Sequence, residues 1–222
     1  SNISATIVED KIYGLLGRNG AGKTTLLNII TNRLFANRGR VLIDGVLAAE
    51  NDRAQAKIFY MTEQTLYPKN SRVRSVFELT RGFYPRFDLE YAAVLAGRFQ
   101  LDTSKRIHAL STGYLSIFKL ILTLASNAKV MIFDEPVLGL DANHRDLFYR
   151  ELAARYSTAP ATVILSTHLI EEAAGLLEEV MILKEGDLLL AQPVDHLLER
   201  AYTISGSLEN VDRYISGKNV IR

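Results

Sequence analysis

A chain of 222 residues with 26 basic and 25 acidic side chains has room for one well-buried core, and its net charge of +1 gives no general attraction to nucleic acid or anionic lipid. The absence of cysteine excludes disulfides, zinc–thiolate sites and thiol nucleophiles together. No run of about 18 apolar residues offers a membrane span, and Ser1-Asn2-Ile3 lacks the basic opening of a signal peptide.

Ile3 to Val8 alternates in polarity and predicts a half-buried strand, with Glu9-Asp10-Lys11 as its turn. The apolar run Ile12 to Leu16 predicts a buried strand. It feeds Gly17-Arg18-Asn19-Gly20-Ala21-Gly22-Lys23-Thr24-Thr25, and Leu26 to Ile30 continues in a helical pattern. This spelling between strand and helix is a P-loop. Glycines let backbone N–H groups turn inward around an anion, and the following helix adds the positive end of its dipole. Lys23 would reach the outer phosphates as a point charge, and the Thr24 hydroxyl would ligate the accompanying Mg2+.

Asn37-Arg38-Gly39 breaks the helix, Arg40 to Gly45 predicts a short strand with a turn, and Ala48 to Ala56 has no clear pattern. Ile58 to Met61 is a β-branched and aromatic strand ending at Thr62-Glu63-Gln64. From Leu66 the chain turns helical. Tyr67 to Asn70 reads as a loop, Val73 to Phe83 as a helix with Val76, Leu79 and Phe83 at helical spacing, and Leu89 to Phe99 as another. Arg72, Arg74, Arg81 and Arg86 read as solvated helix faces rather than a basic patch. Leu110-Ser111-Thr112-Gly113 precedes the apolar helix Leu115 to Ala125, with Ser111 or Thr112 as N-cap.

Lys129 to Pro136 is an apolar strand ending in Asp134 and Glu135. An acid there, beside a P-loop strand, can hold magnesium through water while its neighbour faces the attacking water. A helix over Asn143 to Tyr156, a buried strand over Ala161 to His168 and a helix over Leu169 to Leu177 follow. Val180 to Leu183 and Leu188 to Ala191 form a hairpin around Glu185-Gly186-Asp187, Val194 to Tyr202 is helical, and Thr203 to Arg222 has no clear pattern. The alternation predicts an α/β fold with a mostly parallel sheet and a helical insert at residues 66–126. The P-loop alone does not choose among kinases, GTPases and ATPases, although the lack of an Asn-Lys-x-Asp motif disfavours a GTPase.

Six motifs then stand in one order: Gly17 to Thr24, Gln64 after a strand, Leu110-Ser111-Thr112-Gly113-Tyr114, Phe133-Asp134-Glu135-Pro136, Gly139-Leu140-Asp141 and Ser166-Thr167-His168. In this the chain resembles the nucleotide-binding subunit of bacterial ATP-binding cassette (ABC) transporters, over residues 3–196. The resemblance implies a P-loop NTPase core with a small antiparallel β part and an inserted helical subdomain, forming one domain over residues 1–196 and leaving 197–222 as a tail. It implies ATP and Mg2+ as ligands, Glu135 as general base, His168 on the γ-phosphate, and Gln64 both in the metal shell and at the root of the helical insert. Ser111 and Gly113 match the family signature Leu-Ser-Gly-Gly-Gln, which completes the site of an opposite subunit in a head-to-tail dimer; Thr112 and Tyr114 depart from it. Asp141 would lie across that interface. His108, His144 and His196 have no such setting and read as surface residues.

The function so implied is ATP hydrolysis at a homo- or heterodimer interface, driving a separate transmembrane permease from the cytoplasmic face of the membrane, with no nucleic-acid partner. The alternatives are a soluble non-transport ABC ATPase acting in ribosome, DNA or assembly work, and a nucleotide-gated regulatory module. Tyr114 and the segment Gly82 to Asp88 are similar to bacterial exporter ATPases linked to peptide-antibiotic resistance. The family stacks adenine on an aromatic residue before the first strand, which the resemblance places upstream of Ser1.

Overall fold

Strands that are apolar along their whole length belong in the middle of a sheet covered on both faces, and every residue of β1 (Ile12–Leu16) is buried. A computed structural model describes residues 3–199 and 208–215. After β1 come α1 (Lys23–Ile30), the small hairpin β2 (Leu42–Ile43) and β3 (Val46–Leu47), α2 (Asp52–Gln55) and β4 (Ile58–Met61). Helices α3 (Val73–Phe83), α4 (Leu89–Arg98) and α5 (Thr112–Ala125) stand between β4 and β5 (Val130–Asp134). Then follow α6 (Ala142–Thr158), β6 (Thr162–Ser166), α7 (Ile170–Ala173), β7 (Glu179–Lys184), β8 (Asp187–Pro193), α8 (Val194–Leu198) and α9 (Leu208–Ile215).

The main sheet has the order β4-β5-β6-β1-β7-β8. All of its pairings are parallel except that of β7 with β8. Alternate side chains therefore feed two cores. On one face Ile12, Phe59, Met61 and Phe133 pack with Phe77, Phe118 and Phe148 from the helices; on the other Tyr13, Leu15, Tyr60 and Ile132 pack around Leu27 of α1. Phe118 of α5 lies between Phe77 and Tyr67, with ring centroids at 6.1 and 5.1 Å, which holds α3 and the loop before it onto α5.

Three expectations are corrected, and a fourth is met only over its first part. Residues 3–8 are not a strand: both edges of β1 are taken, by β6 and β7, and the segment instead packs Ile3 and Ile7 on the second core. The helix expected through Leu177 is confined to Ile170–Ala173, followed by a turn at residues 174–176. Of the three α3 positions expected at helical spacing only Val76 is buried, whereas Leu79 and Phe83 are 49% and 75% exposed, so that row runs off the core onto the surface. Helix α8 ends at Leu198 with Glu199 as its C-cap, and residues 200–202 of the helix expected to Tyr202 lie outside the described residues.

Candidate functional site

The P-loop leaves β1 at the centre of the sheet. A Cβ on Gly17 would come within 2.5 Å of the Leu183 carbonyl oxygen on β7, so only glycine lets the loop turn there. Gly22, at φ 101°, caps α1 without a side chain, which leaves the first N–H groups of the helix open to an anion. Lys23 is buried and donates from Nζ to the Gly17 carbonyl at 2.7 Å. Asn19 to Thr25, with Glu63 and Glu135, line a cavity of about 300 Å³. Arg18 is exposed and supports the loop through its carbonyl, which accepts from Ala21 N at 3.0 Å.

Strand register brings the acids to this cavity. Ser166 of β6 pairs with Leu15 on one side and Asp134 on the other, so the ends of β1, β6 and β5 lie in one line. Asp134 Oδ2 accepts from the Thr24 hydroxyl at 2.8 Å and the Tyr60 hydroxyl at 3.1 Å, while its Oδ1 is buried without a donor. Burial and the adjacent Asp134 charge push the Tyr60 phenol up, keeping it a donor. Glu135 adopts a left-handed backbone, φ 47°, just past the strand end. Its Oε2 meets His168 Nδ1 at 2.8 Å; its Oε1, which has no hydrogen-bond donor, lies 3.5 Å from Lys23 Nζ. Among the described residues no three His, Asp or Glu side chains form a metal cage. The free Asp134 Oδ1 beside the Thr24 hydroxyl suits instead an ion shared with phosphates, the usual mode for Mg2+.

The remaining expected residues stand elsewhere. Ser111, exposed, is the N-cap of α5 and accepts from Tyr114 N at 3.3 Å. Asp141, also exposed, caps α6 and accepts from His144 N at 2.9 Å; the backbone and ring of His144 hold its carboxyl below the ordinary range. A Cβ on Gly113 would lie 2.9 Å from the Gly139 carbonyl oxygen, so the turns carrying Ser111 and Asp141 touch. Gln64 is exposed and lines a separate groove of about 290 Å³ between β4, α3 and α5; its neighbour Glu63 faces the P-loop cavity.

The ABC transporter family profile matches residues 1–138. The chain belongs to the ABC transporter family. The ABC transporter ATP-binding protein YtrB of Bacillus subtilis strain 168 is 29% identical over 220 residues, 99% of this chain and 75% of YtrB. A solved ATP-binding subunit of an ABC transporter superposes with a TM-score of 0.81 at 21% identity, over 97% of this chain and 92% of that one. The dimeric MJ0796 cassette superposes at 0.77 and 22% identity, over 87% and 89%. Those two likenesses carry the fold, and the family match makes the chain an ATP-binding, ATP-hydrolysing cassette.

Within this ABC cassette four side chains escaped the motif reading. Tyr60 and Glu63 sit in or beside the expected Gln64 segment, but only the strand's twist and pairing tell which way each faces. Lys119, the single charged residue of α5, is buried and donates to the carbonyls of Thr62 and Glu63 at 3.1 and 2.6 Å. Burial lowers its pKa. His144, expected at the surface, is partly covered: its ring lies 6.2 Å from both Phe99 and Tyr114, and its Nδ1 meets Asp141 Oδ2 at 2.8 Å. His108 and His196 are exposed as expected.

Proposed function

We propose that the chain is one half of a two-fold, head-to-tail pair of ATPase subunits, identical or paralogous, that closes on two ATP and drives a separate transmembrane permease. The observation that supports this most is the division of the chemistry. Lys23 and Glu135 line one cavity, with Asp134 bonded to Thr24 and His168 to Glu135 behind it, while Ser111 and Gly113 stand outside it on the turn before α5. A helix start with a serine hydroxyl and a glycine N–H suits a phosphate, here that of the opposite subunit.

In the reaction so inferred, the P-loop amides and Lys23 hold the outer phosphates and oppose the charge that develops on them. Glu135 orients the attacking water and accepts its proton at Oε1. His168 fixes Oε2 through Nδ1 and keeps Nε2 for the γ-phosphate. Thr24 and Asp134 would hold Mg2+, which would supply charge neutralisation on the phosphoryl oxygens; Gln64, expected in the same shell, faces the separate groove instead. ATP favours the closed pair through its contacts to Ser111 and Gly113 of the opposite subunit.

The groove beside Gln64, with Leu66, Leu79 and Phe83 exposed along it, supports docking of the permease on the segment 66–126. No described helix is long and apolar enough to cross a membrane, so the attachment would run through that permease at the cytoplasmic face. The test is affinity isolation of the Glu135→Gln protein, trapped with ATP, from its own cells. Recovery of one integral membrane protein is expected, whereas recovery of ribosomes would replace the transporter reading with a soluble one.

A further inference from the structure

The middle of α5 carries a cation where its neighbours are all apolar. Lys119 is 6% exposed, between Phe118 and Leu120, which are fully buried. A buried ammonium is retained only where acceptors replace its water. Its two acceptors are the consecutive carbonyls of Thr62 and Glu63, at 3.1 and 2.6 Å, at the point where the chain leaves β4. No carboxylate pairs with Lys119 among the described residues. The bond therefore reads a backbone position rather than a side chain.

That backbone position is a fork. Glu63 faces the P-loop cavity, and Gln64, the next residue, faces the groove, which Lys119 itself helps to line. On the other side, Lys119 lies eight residues along the same rigid helix from Ser111, a rise of roughly 12 Å. We infer that Lys119 is a positioning residue that fastens the Thr62–Gln64 loop to α5, so that this loop and the Ser111 turn move as one body. An object seated in the groove would then shift Ser111 without touching it, and closure on Ser111 would shift Gln64. Three hydrogen-bonding protons on a single ammonium suit this task. They follow two carbonyls through small rotations, which a packed methyl group cannot do.

The inference rests on the reading in which Ser111 serves the opposite subunit's ATP, and the experiment separates the two. Glu135→Gln protein is compared with Glu135→Gln carrying Lys119→Met or Lys119→Arg. Three readouts are taken: ATP-dependent dimerisation by sedimentation, binding of a fluorescent ATP analogue to the monomer, and amide hydrogen exchange. Lys119→Met is expected to weaken dimerisation about tenfold, within the range of coupling between sites. It is also expected to speed exchange at residues 64–66 about tenfold, with α5 and analogue binding unchanged. Lys119→Arg, which keeps cationic donors, is expected to restore both. Unchanged loop exchange and dimerisation in Lys119→Met overturns the proposal. So does a Lys119→Met protein that unfolds or exchanges faster along all of α5, since Lys119 is then a packing residue. If Glu135→Gln alone fails to dimerise with ATP, the half-site reading fails, and the loop exchange still decides whether Lys119 holds the loop.

Discussion

Asp134 shows how much of the site is fixed by single hydrogen bonds. Thr24 and Tyr60 both donate to Oδ2, at 2.8 and 3.1 Å, which holds the carboxylate and leaves Oδ1 buried and free of protein donors. Tyr60 is itself buried, with Arg33 4.8 Å above its ring. Removing its hydroxyl takes a donor from a buried charge, which costs about 1–3 kcal/mol. Tyr60→Phe is thus expected to lower the unfolding free energy by that amount, seen as a lower urea midpoint with an unchanged slope. It is also expected to raise the Mg2+ concentration needed for half-maximal turnover. Equal midpoints for the two proteins would show that Thr24 alone orients Asp134.

At the scale of elements, α5 does more than present a signature turn. Its N-terminus leans on the Gly139 turn at Gly113, Tyr114 touches His144 at the start of α6, Ser116 donates to the Leu138 carbonyl at 3.1 Å, and Lys119 grips the end of β4. Backbone faces backbone at Gly113, so there is no side chain to move aside. Gly113→Ala places a methyl 2.9 Å from the Gly139 oxygen, and overpacking of this kind costs about 1–3 kcal/mol. The expected outcome is a lower thermal midpoint together with weaker ATP-dependent dimerisation in sedimentation, because the Ser111 turn is pushed off its support. Wild-type dimerisation would show that the turn yields freely.

For the whole molecule, the informative surface is where the apolar stripe of α3 leaves the core. Leu79 and Phe83 are 49% and 75% exposed although they continue the row begun by buried Val76. A row that a core does not bury suits a partner. Phe83→Asp is expected to abolish recovery of the membrane protein with the trapped subunit. Its own unfolding free energy should stay within about 0.5 kcal/mol, as for most surface substitutions. Undiminished recovery would move the docking surface elsewhere on the molecule.

The P-loop, the acids that end β5 and an N-cap at Ser111 or Thr112 were legible in the sequence, because each depends on sterics and hydrogen bonds among residues a few positions apart. The alternation of buried strands and helices likewise determined the fold class. Tertiary structure alone decided that residues 3–8 find no strand to pair with, and that Glu63 rather than Gln64 lines the phosphate cavity. It alone brought Tyr60 to Asp134 and Lys119 to the end of β4. Those contacts join positions 74 and 56 residues apart, and they follow from strand order, register and helix rotation, which no local pattern encodes.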